Sequence, residues 1–199
     1  MSLREIEAKD PGPEIAAWKR ALPMWLTWSR ILVCPFFVVF LSLKASVWGW
    51  LSALLFVLAS ITDWFDGYLA RKYNAVSNLG KFMDPIADKI LVATVLIMLI
   101  PTGRVGPILV ILLLTRDILI GGIRSVAAAD RLIIDAKPAG KWKTALQMVA
   151  IPALLIPGRD LNGLALNEIG LVLLWISVLL SLISGAQYIQ LYYRQARKR

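Results

Sequence analysis

The chain has 199 residues, of which 58% are hydrophobic, and its mean hydropathy of +0.69 exceeds what one soluble domain needs to fill a core. The formal net charge of +9 is divided among alternate connections and does not form one basic stripe, which argues against a nucleic-acid-binding protein. The sequence contains no histidine, which excludes histidine-ligated zinc or haem sites and histidine-based catalytic triads.

Hydrophobic residues gather in stretches of about the length that crosses a bilayer as a helix. The sequence therefore predicts an all-α integral membrane protein with six transmembrane helices. In chain order, the predicted spans are residues 24–43, 47–68, 85–100, 107–127, 144–156 and 166–189. The third and fifth spans are short, and Pro152 interrupts the fifth.

The N-terminal residues contain charged side chains and a Pro-Gly-Pro break, with no apolar run that would predict a cleavable signal peptide. Ile15, Trp18 and Leu22 lie on one side of residues 14–22, which predicts a short amphipathic helix at the membrane surface. The predicted domains are a cytoplasmic N-terminal segment (residues 1–23), a transmembrane domain (residues 24–190) and a basic cytoplasmic tail (residues 191–199).

Lysine and arginine are concentrated in the N-terminal segment, in the connections after the second and fourth spans, and in the tail. The other three connections contain only Lys44, Arg104 and Arg159. This bias predicts a multi-pass protein of the cytoplasmic (inner) membrane with both termini on the cytoplasmic side.

Four aspartates flank the connection between the second and third spans. Asp63 and Asp66 are three residues apart, and Asp84 and Asp88 are four apart, so each pair lies on one helical face. Clustered carboxylates in a membrane repel one another and lose hydration, and divalent cations remove both penalties. Oxygen ligands favour Mg²⁺ or Mn²⁺, and two such ions would suit displacement at phosphorus. The alternative is an ordinary solvated acidic loop, but the four aspartates are embedded among apolar residues.

Small and basic residues accompany these aspartates. Gly67 and Ala70 would let a nucleotide approach the helix backbone closely, and Arg71 follows Gly67 by about one turn, where it can reach a phosphate. We expect Gly80 to let the connection turn into the third helix and Pro85 to lie in the first turn of that helix.

The pattern D-x2-D-G-x2-A-R-x8-G-x3-D-x3-D resembles the signature of the CDP-alcohol phosphotransferase family at every fixed position. The matching residues are Asp63, Asp66, Gly67, Ala70, Arg71, Gly80, Asp84 and Asp88. Residues 26–35, 61–92, 115–124 and 140–147 are further similar to one branch, the bacterial phosphatidylglycerophosphate synthases. The sequence departs from that branch at Met24, where asparagine is usual, and at Asp117, where glutamate is usual.

The resemblance implies six transmembrane helices, usually a homodimer, and transfer of a phosphate group from a CDP-alcohol with release of CMP. For this branch it implies CDP-diacylglycerol as the lipid donor and glycerol 3-phosphate as the acceptor. By matching positions, Asp63, Asp66 and Asp84 would hold one divalent ion and Asp63, Asp84 and Asp88 the other. Asp88 would also act as the catalytic general base. Matched positions for binding the CDP group are Thr27, Asp66, Gly67, Ala70, Arg71, Ser77 and Gly80.

Basic residues in the fourth and fifth helices are candidates for binding the acceptor's phosphate. Arg116 and Arg124 are eight residues apart on one helical face, about 12 Å along the axis, and Lys141 and Lys143 open the fifth helix. A phosphorylated acceptor needs such cations. Positive-inside anchoring explains the lysines equally well, and Arg116 could instead neutralise Asp117 or an acid of the metal site.

Two further hypotheses remain open at this point. The same chemistry could use another acceptor, namely inositol phosphate, phosphatidylglycerol or serine. A protein of a different class, a cation transporter or channel, could use the acidic cluster as its ion site. Against the second, the acids lie near one membrane face, whereas transported ions bind near the bilayer midplane.

Overall fold

The computed structural model describes the backbone of residues 17–43, 45–72, 78–129, 138–157 and 166–196, and the side chains of residues 28–43, 45–62, 86–127, 140–157 and 166–195. Over these ranges the protein is all-α, which confirms the predicted fold class. The six helices are α1 (Ala17–Ser42), α2 (Ser46–Lys72), α3 (Asn78–Leu99), α4 (Pro107–Ala129), α5 (Pro138–Leu155) and α6 (Leu166–Ala196).

The first helix begins earlier than the apolar pattern indicates. α1 starts at Ala17 and continues through Pro23, so residues 17–22 of the predicted amphipathic helix are the first turns of α1. The prediction of a helix separate from the first span was therefore wrong for these residues, whereas their location at the membrane surface remains a prediction; residues 14–16 lie outside the described residues. Ala17, Lys19 and Ala21 are strong helix formers, and a proline removes one helical hydrogen bond without necessarily ending the helix.

The third helix also begins earlier than predicted. α3 starts at Asn78, so Gly80 and Pro85 both lie inside the helix. The predictions that Gly80 belongs to the connecting turn and that Pro85 lies in the first turn were therefore wrong. The continuous apolar stretch marks only part of the helix, because the polar residues Asn78, Lys81 and Asp84 interrupt the apolar pattern in the first turns and are compatible with helical backbone. Similarly, Pro152 is accommodated inside α5.

The core lies where the six described helices meet. Phe37 of α1 and Phe56 of α2 are fully buried, and their rings pack edge to face with centroids 6.4 Å apart. α1 packs against α2 and α3, while α5 packs most extensively against α6 and also contacts α2. The other four helices contribute further buried residues to the same core: Leu96 of α3, Leu109 and Leu113 of α4, Ile151 and Leu154 of α5, and Leu174 of α6.

Two glycines let neighbouring helices approach α5 closely. A Cβ atom at Gly170 of α6 would lie 3.0 Å from the carbonyl oxygen of Ala150, and one at Gly49 of α2 would lie 2.7 Å from that of Leu155. The 2.7 Å distance is shorter than real Cβ atoms show, and the 3.0 Å distance is tighter than most real Cβ contacts. Small residues at helix crossings are typical of helices that pack within a bilayer.

The connection between α3 and α4 is bonded to the end of α5. Arg104 donates from Nη1 to the carbonyl oxygens of Leu154 and Leu155, each over 2.9 Å. These carbonyls belong to the last turn of α5, where intrahelical donors are lacking. Gly103 has a φ of 72°, a left-handed conformation that glycine adopts readily and that allows the chain to turn there.

Within the described residues, one helical stretch is long and apolar enough to cross a membrane, namely Leu166–Gln195 in α6. Trp28–Ser42 and Ser46–Thr62 are shorter apolar stretches. α4 is of comparable length to a span but carries Arg116, Asp117 and Arg124. Each of the six predicted spans corresponds to one described helix, whereas the prediction that all six cross the membrane remains a prediction.

Candidate functional site

The four aspartates of the sequence motif lie on two helices. Asp63 and Asp66 belong to α2, and Asp84 and Asp88 belong to α3. Their spacings therefore apply to real helical turns, one turn within each pair. The side chains of residues 63–85 lie outside the described residues. Among the side chains that are described, no group of three or more metal-binding residues occurs, so convergence of the four carboxylates remains a prediction.

The predicted nucleotide-binding positions are distributed over three helices. Thr27 lies on α1, Gly67, Ala70 and Arg71 lie on α2, and Gly80 lies on α3. Their surroundings fall outside the described side chains, as does the whole of Ser77.

Asp88, the candidate general base, is contacted by an arginine from α1. The Nη1 atom of Arg30 donates to Oδ1 of Asp88 over 3.0 Å; the side chain of Arg30 is 6% exposed and that of Asp88 is 40% exposed. A buried guanidinium requires partners for its charge, and this contact joins α1 to the acidic end of α3. Sequence reasoning did not select Arg30 as a site residue. Its position could have indicated a functional role, because Arg30 is a charged residue inside the predicted span 24–43.

A second cluster of charges is centred on Asp117 of α4. Its carboxylate accepts hydrogen bonds from Arg116 Nη1, at 3.1 Å, and from Lys143 Nζ of α5. Arg116 also donates from Nε to the carbonyl oxygen of Ser181, at 2.7 Å, and from Nη2 to Ser184 Oγ, at 3.3 Å. The alternative that Arg116 neutralises Asp117 is thus found in the structure, and the cluster links α4, α5 and α6.

The residue after Asp88 connects α3 to this cluster. Lys89 Nζ donates to the backbone carbonyl oxygen of Asp117 over 2.9 Å. Asp117 therefore accepts from Lys89 with its main chain and from Arg116 and Lys143 with its side chain. Because Asp88 and Lys89 are adjacent, the acidic end of α3 adjoins the basic cluster of α4 and α5.

Arg116 and Arg124 line one cleft between α4, α5 and α6, together with Ile120, Gly140, Ser184, Tyr188 and Leu191. The guanidinium carbon of Arg124 lies 5.4 Å from the centre of the Tyr188 ring, within the range of a cation–π interaction. Arg124 itself is exposed. The two arginines therefore line one cleft, as their eight-residue spacing predicts.

The two lysines of α5 have different environments. Lys143 is buried, whereas Lys141 is exposed. Residues two apart on a helix face nearly opposite directions, so only one of them can join the cluster at Asp117. Lys143 precedes the predicted span, and burial lowers the pKa of its ammonium group while the charge of Asp117 opposes that shift. The structure thus brings Lys143 to Arg116 and does not bring Lys141 there.

The chain is similar to known proteins at the level of a family and of individual relatives. A model of the CDP-alcohol phosphatidyltransferase family matches residues 20–183. A Rickettsia bellii protein named CDP-diacylglycerol–glycerol-3-phosphate 3-phosphatidyltransferase is 42% identical over 167 residues, covering 84% of this chain and 92% of that protein. Proteins of the same name from Rickettsia typhi and Bacillus subtilis are 42% and 36% identical, each over 84% of this chain, and 94% and 92% of their own lengths are covered.

The matched region contains the acidic motif, Arg30 with its partner Asp88, and the cluster around Asp117. The resemblance noted from the sequence is therefore confirmed over most of the chain. This protein belongs to the CDP-alcohol phosphatidyltransferase family of enzymes.

Proposed function

We propose that this enzyme transfers the phosphatidyl group of CDP-diacylglycerol to the free hydroxyl of glycerol 3-phosphate, giving phosphatidylglycerophosphate and CMP. The names of its relatives describe this reaction. One structural observation carries the acceptor assignment: Lys89, the neighbour of Asp88, donates to Asp117 of the basic cluster. A phosphorylated acceptor held by that cluster would lie beside the aspartates that handle the donor.

The charge of the basic cluster favours an anionic acceptor. Among the described side chains, Lys89, Arg116 and Lys143 are arranged around one acid, Asp117, and Arg124 lines the adjoining cleft. Positive charge is thus in excess. A phosphate monoester would balance it and accept charge-assisted hydrogen bonds from the arginines. Lys141, which is exposed, would contribute long-range attraction to the acceptor.

Asp88 has the role of general base in this proposal. It removes the proton from the acceptor hydroxyl, whose oxygen then forms a bond to the phosphorus that carries the diacylglycerol. The bond from that phosphorus to the CMP oxygen breaks, and CMP leaves with the charge. The buried Arg30 holds one carboxylate oxygen of Asp88 and so fixes the direction in which the base points. Thr27, Asp66, Gly67, Ala70, Arg71, Ser77 and Gly80 are the proposed contacts of the CDP group.

The donor set suits two divalent cations. Asp63, Asp66, Asp84 and Asp88 would supply carboxylate oxygens alone, a set that favours Mg²⁺ or Mn²⁺ over softer metals. The part-exposed carboxylate of Asp88 is compatible with this role. When bound, such ions would supply positive charge to the donor's phosphate oxygens and to the departing CMP.

We further propose that all six helices cross the cytoplasmic (inner) membrane, that both termini and the active site face the cytoplasm, and that the enzyme is a homodimer. Large apolar side chains on the outside of the helix bundle support a lipid environment: Ile108 is 68% exposed and Ile118 is 69% exposed. The diacyl tails of the donor would then stay among the membrane lipids. The domain division at residues 23 and 190 belongs to the same proposal, although α6 continues to Ala196.

The remaining alternative is another acceptor. Serine carries no phosphate and would leave the cations near Arg116 without an anion, whereas inositol phosphate and phosphatidylglycerol are anionic and compete more closely. The transporter hypothesis loses its basis, because the chain belongs to a family of enzymes.

The test is release of CMP from CDP-diacylglycerol by one purified preparation, in the presence of Mg²⁺ and each of five acceptors in turn. We expect glycerol 3-phosphate to give the highest kcat/KM, and free glycerol to be a poor acceptor. If serine, inositol phosphate or phosphatidylglycerol gave the highest value, the proposed acceptor would be wrong. If no acceptor released CMP, the proposed chemistry itself would be wrong.

A further inference from the structure

The contact between Lys89 and Asp117 crosses the backbone of α4 at a glycine. Lys89 Nζ reaches the Asp117 carbonyl oxygen, at 2.9 Å, by lying against Gly121. A Cβ atom at Gly121 would overlap the ammonium group, whereas one at the neighbouring Gly122 would meet no heavy atom within 4 Å. The missing side chain of Gly121 therefore makes room for Lys89 on α4, whereas the missing side chain of Gly122 has no such role.

The acceptor of this bond is part of the α4 helix. In an α-helix the carbonyl of Asp117 accepts from the N–H of residue 121, and a carbonyl oxygen has a second lone pair that can accept from Lys89. An ammonium group placed against apolar helices loses its hydration, so this bond offsets part of that cost. Loss of the bond would therefore cost free energy, and the bond joins α3 to a point one helical turn before Gly121.

The relative position of α3 and α4 depends on few other contacts. α3 packs far more extensively against α1 than against α4. α3 carries Asp84 and Asp88, while α4 carries Arg116 and Arg124. The base and the proposed phosphate-binding arginines are therefore on two helices that touch over a small area, and the bridge from Lys89 is next to the base.

We infer that Lys89 and Gly121 act together as a positioning device that sets the distance between Asp88 and the phosphate-binding arginines. The inference rests on the proposed function. An acceptor held by its phosphate presents its hydroxyl to Asp88 only if the two helices keep a fixed separation. Lys89 acts through Asp88 and through α4, and it need not touch either substrate.

The device predicts a specific kinetic effect. Without the bridge, the cations on α4 and α5 still bind the acceptor's phosphate, so KM for glycerol 3-phosphate should change by less than about threefold. The hydroxyl is then displaced from the base, and kcat should fall by about 10- to 100-fold, since a misplacement near 1 Å can cost that much. KM for CDP-diacylglycerol and the Mg²⁺ dependence should be unchanged.

The experiment compares Lys89→Met, Gly121→Ala and the double variant with the native enzyme, with kcat expressed per donor-binding site so that unfolded protein is not counted. Gly122→Ala is the matched control, because it makes the same change one residue away in open space. We expect both single variants to lose kcat, Gly122→Ala to keep it, and the double variant to be no slower than the slower single variant. The last result follows because Gly121→Ala acts only by displacing the lysine.

Any of three outcomes would overturn the inference. Gly121→Ala could have the same kcat as Gly122→Ala, or the reductions in kcat of the two single variants could multiply in the double variant. The variants could also lose folded enzyme while kcat per donor-binding site stays unchanged. If Gly121→Ala yields no folded protein, Lys89→Met alone decides the question, because this substitution adds no volume. A lower kcat with a nearly unchanged KM for glycerol 3-phosphate supports the inference, and an unchanged kcat contradicts it. Failure of the native enzyme to use glycerol 3-phosphate would instead contradict the proposed function.

Discussion

Arg30 of α1 donates to Oδ1 of Asp88 of α3 over 3.0 Å, and the arginine is the more deeply buried of the two. The candidate base is therefore held from the side of α1 by a buried cation, while its neighbour Lys89 is bonded to α4. Two adjacent residues of α3 thus contact two different helices, α1 through Asp88 and α4 through Lys89. Both contacts restrict the rotation of this part of α3 about its axis.

Replacing Asp88 by asparagine should separate catalysis from donor binding. Asp88→Asn keeps an oxygen that can accept from Arg30 but removes the basic carboxylate. We expect CDP-diacylglycerol binding to persist, because Asp66, Gly67 and Arg71 remain, while turnover falls by about 10²- to 10⁴-fold. Binding is measured directly and turnover as CMP release. The exposed Glu168, in the first turn of α6, provides the matched control Glu168→Gln. Near-native turnover of Asp88→Asn would place the base elsewhere.

Removal of divalent ions should abolish activity, because every proposed ligand is a carboxylate. We expect a chelator to stop CMP release, and Mg²⁺ or Mn²⁺ to restore it without any need for zinc. Asp63→Asn should reduce activity far more than Glu168→Gln, since Asp63 is proposed to contact both ions. Full activity of a metal-stripped preparation would contradict the two-metal proposal.

Loss of Arg124 should impair use of the acceptor alone. Arg124 lines the cleft and offers a guanidinium that can bind phosphate through two hydrogen bonds. Charge-assisted bonds of this type contribute about 1.5–3 kcal/mol, so Arg124→Ala should raise KM for glycerol 3-phosphate roughly 10- to 150-fold. The CDP-diacylglycerol dependence should stay within experimental error. Arg194→Ala, at an exposed position in the last turn of α6, is the control. An equal effect from both variants would show that only general surface charge matters.

The effect of a substitution at Asp117 on stability should depend more on the charge of the new side chain than on its length. Asp117→Asn leaves the buried Lys143 and Arg116 without their common carboxylate, and breaking a buried ion pair in this way costs about 3–5 kcal/mol. We expect a clearly lower melting temperature for this variant. Asp117→Glu restores the residue usual in the similar branch and should keep most of the stability. Thermal unfolding in detergent measures both, and equal destabilisation by the two variants would contradict the importance of the charge.

The six described helices could be predicted from the sequence because each contains one of the six apolar stretches, but the additional N-terminal helix is part of α1 over its described residues. The starts of α1 and α3 could not be predicted, because charged and polar residues interrupt the apolar pattern in the first turns after Ala17 and Asn78. Pro85 was misleading because a proline weakens a helix only locally, and the flanking residues decide whether the helix continues.

The composition of the site could also be predicted in part. Spacing alone indicated that Arg116 and Arg124 share a face, and both line one cleft. The partners of Asp117 required the packing of three other helices, because Lys89 and Lys143 are distant from it in sequence and reach it only through tertiary contacts. The sequence did not indicate a role for Gly121, because its contact with the Lys89 side chain is a tertiary contact.

The hydrogen bonds of Arg104 affect how the chain is inserted and assembled. It lies in one of the connections predicted to face away from the cytoplasm, where positive charge is scarce, and both of its hydrogen bonds from Nη1 end on carbonyls of the α5 terminus. This arginine thus serves as a substitute for the donors that a helix end would otherwise take from water. A substitution of Arg104 should accordingly reduce the yield of correctly assembled enzyme during biogenesis, while the molecules that do assemble keep normal kinetics.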